Sequence, residues 1–158
     1  GITALAVLAV LASGVAGSAA VVYGWPRRLV GPGAVFTESR LALQFNRRPE
    51  WRASFQLAAA AVRASGAHRI GLVQDGNSWE YPWWVLLRGD TIVTLQTLVP
   101  DKLPAAKATS VDAIVCDAPV ATCRYYTPRG WQLHLGPYSI GYALPPGRDP
   151  VRATRTGS

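Results

Sequence analysis

Residues 69–89 read Arg69-Ile70-Gly71-Leu72-Val73-Gln74-Asp75-Gly76-Asn77-Ser78-Trp79-Glu80-Tyr81-Pro82-Trp83-Trp84-Val85-Leu86-Leu87-Arg88-Gly89. Ile70 to Val73 form a short apolar run bounded by turn residues, the pattern of a buried strand. Asp75-Gly76-Asn77 is turn chemistry. Ser78 is placed to cap a helix over residues 79–88, with Pro82 tolerated near its start and Gly89 closing it. A strand that runs straight into a helix sets the class as α/β.

Working outward, the alternation continues on both sides. Pro49 suits a first helical turn and Gly66 a helix end. Between them Trp51, Phe55, Ala58 or Ala59, and Val62 recur at helical spacing and give one apolar face. Downstream, residues 91–95 alternate as a strand and residues 111–116 form another apolar strand. Residues 131–135 and 138–144, separated by Gly136-Pro137, predict a closing hairpin. The expected fold is a small α/β sandwich with a mostly parallel sheet and an antiparallel C-terminal hairpin. Residues 1–23 are expected as a transmembrane helix, 24–49 as a juxtamembrane linker, 50–146 as the soluble domain and 147–158 as a flexible basic tail.

The chain has 158 residues, 49% apolar and 16% charged, with a net charge of +7. That composition excludes a disordered basic tail. Residues 2–22 carry no charge, and 21 of them at a rise of about 1.5 Å span about 30 Å, the thickness of a bilayer core. Residues 24–66 hold seven Arg against Glu38 and Glu50, whereas residues 67–147 balance six basic groups with six acidic ones. The excess charge therefore flanks the apolar segment and decorates the tail, which argues against a nucleic-acid face.

The apolar segment has two readings. A signal peptide needs a basic n-region and a short apolar core. Here the n-region is missing and the run is long, so a membrane span is favoured, with Tyr23 and Trp25 as its interfacial aromatics. Ser13/Gly17 and Gly14/Ser18 are small-residue pairs that let another helix approach. Arg27 and Arg28 alone favour a cytoplasmic C-terminal side, unless upstream helices set the topology. The absence of any Met gives the expectation that the chain is the end of a larger membrane protein.

Candidate ligand-binding residues gather where the first strand meets the second helix: Asp75, Asn77, Ser78, Glu80 and Trp84. Ligands in α/β sheets favour the carboxyl ends of strands. The same residue types are also ordinary turn and cap formers. Trp79, Tyr81, Trp83 and Trp84 either stack on sugar rings, sit in a membrane interface or fill the core. Trp79 and Trp83, four apart, are expected on the buried face, with Glu80 and Trp84 on another. Arg27, Arg28, Arg47 and Arg48 are candidate contacts for anionic lipid or phosphate, set against plain solvated charge. Cys116 and Cys123 are seven apart, and a hairpin-like loop would let them form a disulfide in an oxidising compartment. His68 and His134 have no partners at metal spacing. No metal motif, catalytic triad, P-loop or dinucleotide-binding glycine pattern is present, so no cofactor and no metal are expected.

The run Arg69-Ile70-Gly71-Leu72-Val73, then Asp75, then Trp79-Glu80-Tyr81-Pro82-Trp83-Trp84-Val85-Leu86-Leu87 resembles the C-terminal extracytoplasmic domain of bacterial multi-span glycosyltransferases of the GT-C type. These include families similar to the dolichyl-phosphate-mannose protein mannosyltransferases and the aminoarabinose transferases. Val35-Phe36-Thr37, Asn46-Arg47-Arg48-Pro49 and Val111-Asp112-Ala113-Ile114-Val115 fit the same pattern, which covers roughly residues 24–144. The resemblance implies a bacterial inner-membrane enzyme that moves a sugar from a polyprenyl-phosphate donor to a lipid, glycan or protein acceptor. It also implies a soluble domain on the extracytoplasmic side. In that family the catalytic acids lie in loops near the first membrane helices, which this chain does not contain, so no catalytic residue is carried over. The expected partners are membrane lipid, the remaining transmembrane helices of the parent protein and the sugar substrates. A second expectation is a single-span anchored sugar- or lipid-binding module in which Asp75, Glu80 and Trp84 line a pocket. A third is a small subunit that packs Gly14 and Gly17 against another membrane protein.

Overall fold

The chain divides into two units, residues 1–49 and 50–158, and the computed structural model describes residues 2–23, 29–76, 78–96 and 106–148. In the first unit, helix α1 (Ile2–Tyr23) contains no charged residue. Its stretch Thr3–Tyr23 is long and apolar enough to cross a membrane. Leu5, Val10, Val15 and Val21 all lie exposed along it. A helix that is apolar all round and uncovered has the character of a membrane anchor or a signal sequence. A Cβ added at Gly14 or Gly17 would meet nothing within 4 Å.

The expected linker contains a short helix that residue spacing did not predict, α2 (Arg40–Gln44). Ser39 caps it, its side-chain oxygen accepting the Ala42 N–H at 3.1 Å, which satisfies one of the free donors of a helix start. Trp25, Arg27 and Arg28 lie outside the described residues, so the expected aromatic belt and phosphate contacts there carry no structural account.

The second unit is α/β. Its elements are α3 (Arg52–Ala64), β1 (Arg69–Gln74), α4 (Tyr81–Leu86), β2 (Thr91–Thr94), β3 (Ala113–Asp117), α5 (Val120–Tyr126), β4 (Gln132–Leu135) and β5 (Ile140–Leu144). The strands form one five-stranded sheet in the order β2-β1-β3-β5-β4. β1 pairs in parallel with both β2 and β3. β5 runs antiparallel to its neighbours β3 and β4.

Alternation distributes side chains to two faces. Val73, Ile114, Cys116 and Ala143 join Cys123 of α5 in one core cluster, with Leu133, Leu135 and Tyr126 packed against it. The opposite face carries Ile70, Leu72, Val115 and Leu144, all fully buried, and α3 packs across β5 and β3 there. Helix α3 contributes Phe55, Ala58, Ala59 and Val62, the apolar face expected from spacing. Phe55 meets Trp83 of α4 at a ring separation of 4.5 Å. Full burial of side chains of this size contributes about 1.5–3 kcal/mol each. β1 and β3 are covered on both faces, which is why they read as continuous apolar runs rather than alternating ones.

Three local expectations are corrected. The second helix starts at Tyr81 rather than at Trp79, with Glu80 at its cap position and no side-chain cap bond. Pro82, with its fixed φ and missing N–H, belongs to the first turn of a helix, and the Ser78 hydroxyl is engaged elsewhere. The strand expected over 111–116 is shifted onto Ala113–Asp117, which draws Asp117 into the sheet. In place of the hairpin-like loop expected between Cys116 and Cys123, helix α5 begins at Val120 and Cys123 lies within it. Gly141 of β5 faces the β4 backbone so closely that a Cβ there would collide with the His134 carbonyl.

Candidate functional site

The parallel strands β1 and β3 end side by side, with Gln74 in register with Asp117. From β1 the chain leaves through α4 toward the β2 edge. From β3 it leaves through α5 toward β4 and β5. Adjacent exits that diverge leave a crevice at the carboxyl ends, the usual ligand position in an open α/β sheet.

The loop after β1 is latched to the end of β3. The Asp75 N–H donates to the Asp117 carbonyl at 3.1 Å, and the Ser78 N–H donates to the Asp75 carbonyl at 3.0 Å. The Ser78 hydroxyl donates to the Asp117 carbonyl and accepts the Asp75 N–H at 2.6 Å. The Trp79 N–H donates to Asp117 Oδ2 at 3.0 Å. Behind this loop, the Gln96 side-chain amide pairs with the Gln74 backbone, accepting its N–H at 2.9 Å and donating to its carbonyl at 2.5 Å. Gln96 thus continues the β2 ladder with a side chain.

A cleft of about 250 Å³ opens here, lined by Trp51, Asp75, Ser78, Asp117, Ala118, Pro119, Tyr138 and Ser139. Asp117 is only 6% exposed. Burial pushes its carboxyl up to about 6 against the pull of the Trp79 N–H, and the Asp75 carboxylate nearby adds to the rise. The aromatic wall is Trp51, whose ring lies 5.3 Å from Trp79 at 53° and 6.0 Å from Tyr138 at 35°. Tyr138 and Ser139 both take positive φ, 63° and 58°. Non-glycine residues in that region cost about 1–3 kcal/mol each, strain that concentrates at functional sites.

On the other side of the sheet, a disulfide joins Cys116 to Cys123, with Cα atoms 5.9 Å apart. It ties β3 to α5 immediately beside Asp117, Ala118 and Pro119.

Of the ligand-binding residues expected from sequence, Asp75 and Ser78 line the cleft, and Asn77 lies outside the described residues. Glu80 and Trp84 are brought together elsewhere, the Trp84 indole N–H donating to Glu80 Oε1 at 2.8 Å on the exposed surface, and neither lines the cleft. Of the pair expected on one buried face, Trp83 is fully buried, whereas Trp79 precedes the helix and is only partly covered. Trp83 Nε1 is buried with no hydrogen-bond partner among the described residues. Arg47 and Arg48 are exposed in the first unit. His68 Nδ1 lies 3.2 Å from Asp90 Oδ1 and His134 stacks on Tyr142. No group of three metal-ligating side chains is present among the described residues.

Sequence reasoning missed Trp51, Asp117, Tyr138 and Ser139. Asp117 had one signal, its place directly after an apolar run ending in Cys116. The arrangement offers carboxylate and hydroxyl groups beside an aromatic face, which suits binding of a small polar ligand with an apolar side. No family model, no curated protein and no solved structure matches the chain, so its functional reading rests on this cleft and on the sequence motifs.

Proposed function

We propose that this chain is a non-catalytic, sugar-binding part of a membrane glycosyltransferase of the GT-C type that uses a polyprenyl-phosphate sugar, with the cleft at the ends of β1 and β3 holding the acceptor. The observation that carries the reading is the combination of the Trp51 face with the Asp75, Ser78 and Asp117 oxygens in one small cleft. Aromatic faces cover the apolar side of a sugar ring while carboxylates accept from its hydroxyls. The Trp-Glu-Tyr-Pro-x-Trp run and the apolar helix α1 support the family assignment. The Cys116–Cys123 bond supports an extracytoplasmic position, since disulfides persist in oxidising compartments. Arg47 and Arg48 supply exposed guanidinium groups for anionic lipid or polyprenyl phosphate. In this reading the catalytic acids belong to other membrane helices of the parent protein, and the chain alone transfers no sugar.

Titration of the full chain in lipid nanodiscs with neutral monosaccharides, followed by saturation-transfer NMR, tests the cleft. Weak binding that disappears in Trp51→Ala, with the circular dichroism unchanged, is the expected result. No binding to any hexose or pentose overturns the sugar reading.

A second reading is a self-sufficient, single-span anchored binding module. It is favoured by the fact that every described residue lining the cleft comes from the second unit. Binding by the isolated full chain as tight as by a longer parent protein supports this version; binding that requires the parent's other helices overturns it.

A further inference from the structure

Among the described residues, the charged groups that line the cleft are two carboxylates, with no Lys or Arg beside them, in a chain whose net charge is +7. Asp117 is almost wholly buried. One of its oxygens, Oδ2, takes the Trp79 N–H. A neutral ligand brings no counter-ion to that buried charge, which has none among the described residues that line the cleft, a costly arrangement. An ammonium group supplies the missing charge and also hydrogen-bond donors to both acids.

The walls favour the same ligand. Trp51 and Tyr138 line the cleft together with the two acids, their ring centroids 6.0 Å apart at 35° to one another. A cation within about 6 Å of an aromatic centroid is attracted by the ring quadrupole, most strongly by Trp. Aromatic faces combined with acids are the chemistry that selects alkylammonium ions. At about 250 Å³ the cleft takes a single ring or a head group, not an extended glycan.

We infer that the cleft formed by Trp51, Asp75, Asp117 and Tyr138 recognises an alkylammonium group, carried by an amino sugar or by an amine-bearing lipid head group. The inference rests on the reading of the cleft as a ligand site and goes further by naming the charge of what enters. The ammonium sits between the Asp75 and Asp117 carboxylates, with the Trp51 face against its carbon skeleton and the Ser78 hydroxyl at the rim.

The test is calorimetric titration of the full chain in nanodiscs, at about pH 7, with glucosamine, glucose and ethanolamine as probes. The expected result is glucosamine binding at least tenfold tighter than glucose. That preference is expected to fall in Asp75→Asn and to vanish in the Asp75→Asn/Asp117→Asn double variant. Asp75 is exposed, so its single variant keeps the test open if the double variant fails to fold. Equal binding of glucose and glucosamine overturns the ammonium inference while the sugar reading stands. Binding of glucosamine and ethanolamine with equal affinity, and none of glucose, supports the ammonium inference, points to a head group and overturns the sugar reading. Binding of none of the three overturns both.

Discussion

The Asp117 carboxylate, at the end of β3, accepts the backbone N–H of Trp79 across a separation of 38 residues. One hydrogen bond thereby fixes the loop after β1 to the strand beside it and holds a buried acid at the mouth of the cleft.

This geometry makes stability depend on pH in a defined direction. Asp117 titrates at about 6 in the fold, against 3.8 for an ordinary aspartate. Its folded-state value is raised, so the fold binds the extra proton between those two values. Stability then falls as pH rises from about 4 to about 6, by about 2–3 kcal/mol in total. Asp117→Asn keeps an oxygen for the Trp79 N–H and removes the charge. Chemical unfolding of the variant is expected to show a flatter profile over that interval and higher stability at pH 7. An unchanged slope would show that Asp117 does not titrate there.

Asp112 behaves in the opposite sense. The Arg69 N–H at 3.0 Å holds its carboxyl below the usual range, helped by the His68 N–H and by Arg148 and opposed in part by desolvation. A depressed folded value contributes stability above the unfolded value and loses it as pH falls through the folded one. Asp112→Asn is expected to cost about 1 kcal/mol at neutral pH, a hydrogen bond to a charged group discounted for partial exposure. The difference from the parent chain should close in acid; one that persists there would place the loss in packing.

The disulfide closes a short loop, for which the chain-entropy model gives about 2 kcal/mol. Thermal unfolding of Cys123→Ala is expected to show a loss of that size. Both sulfurs are buried, so reductant at native temperatures should leave the bond intact until the domain opens. Fast reduction of the folded chain, followed by thiol labelling, would contradict this placement.

Trp83 separates packing from hydrogen bonding. Its ring is fully buried against Phe55, and its indole N–H lacks a partner among the described residues. Trp83→Ala is expected to cost about 3–5 kcal/mol through the cavity it leaves. Trp83→Phe should cost much less, because the smaller ring also removes a buried donor that gains nothing. Equal losses in urea melts would mean that the indole N–H is satisfied.

The sequence disclosed the framework of the second unit because its strands and α3 are decided by burial. Ile70 to Val73 had to be apolar on both faces, and Phe55, Ala58, Ala59 and Val62 had to share one side of a helix. The cleft was far less legible. Asp117 terminates an apolar run, so a charge there reads as the start of a loop; only a distant N–H lets it stay in the sheet. Helix α5 has seven residues between Pro119 and Pro128, too few to display a period. Ser78 has the composition of a helix cap and serves as a latch, a choice made by the neighbouring Asp117 carbonyl. Tyr138 and Ser139 carry no residue signal for positive φ, since that conformation is imposed by the turn between β4 and β5.

Cys116 and Asp117 are consecutive in β3, and their side chains therefore point through opposite faces of the sheet. A slip of β3 by one residue would exchange them, sending the carboxylate into the apolar cluster beneath α5 and the sulfur into the cleft. The covalent link from Cys116 to Cys123 forbids that exchange. It acts as a register pin, set on the reverse side of the sheet, that keeps the acid on the same side as the Trp51 ring.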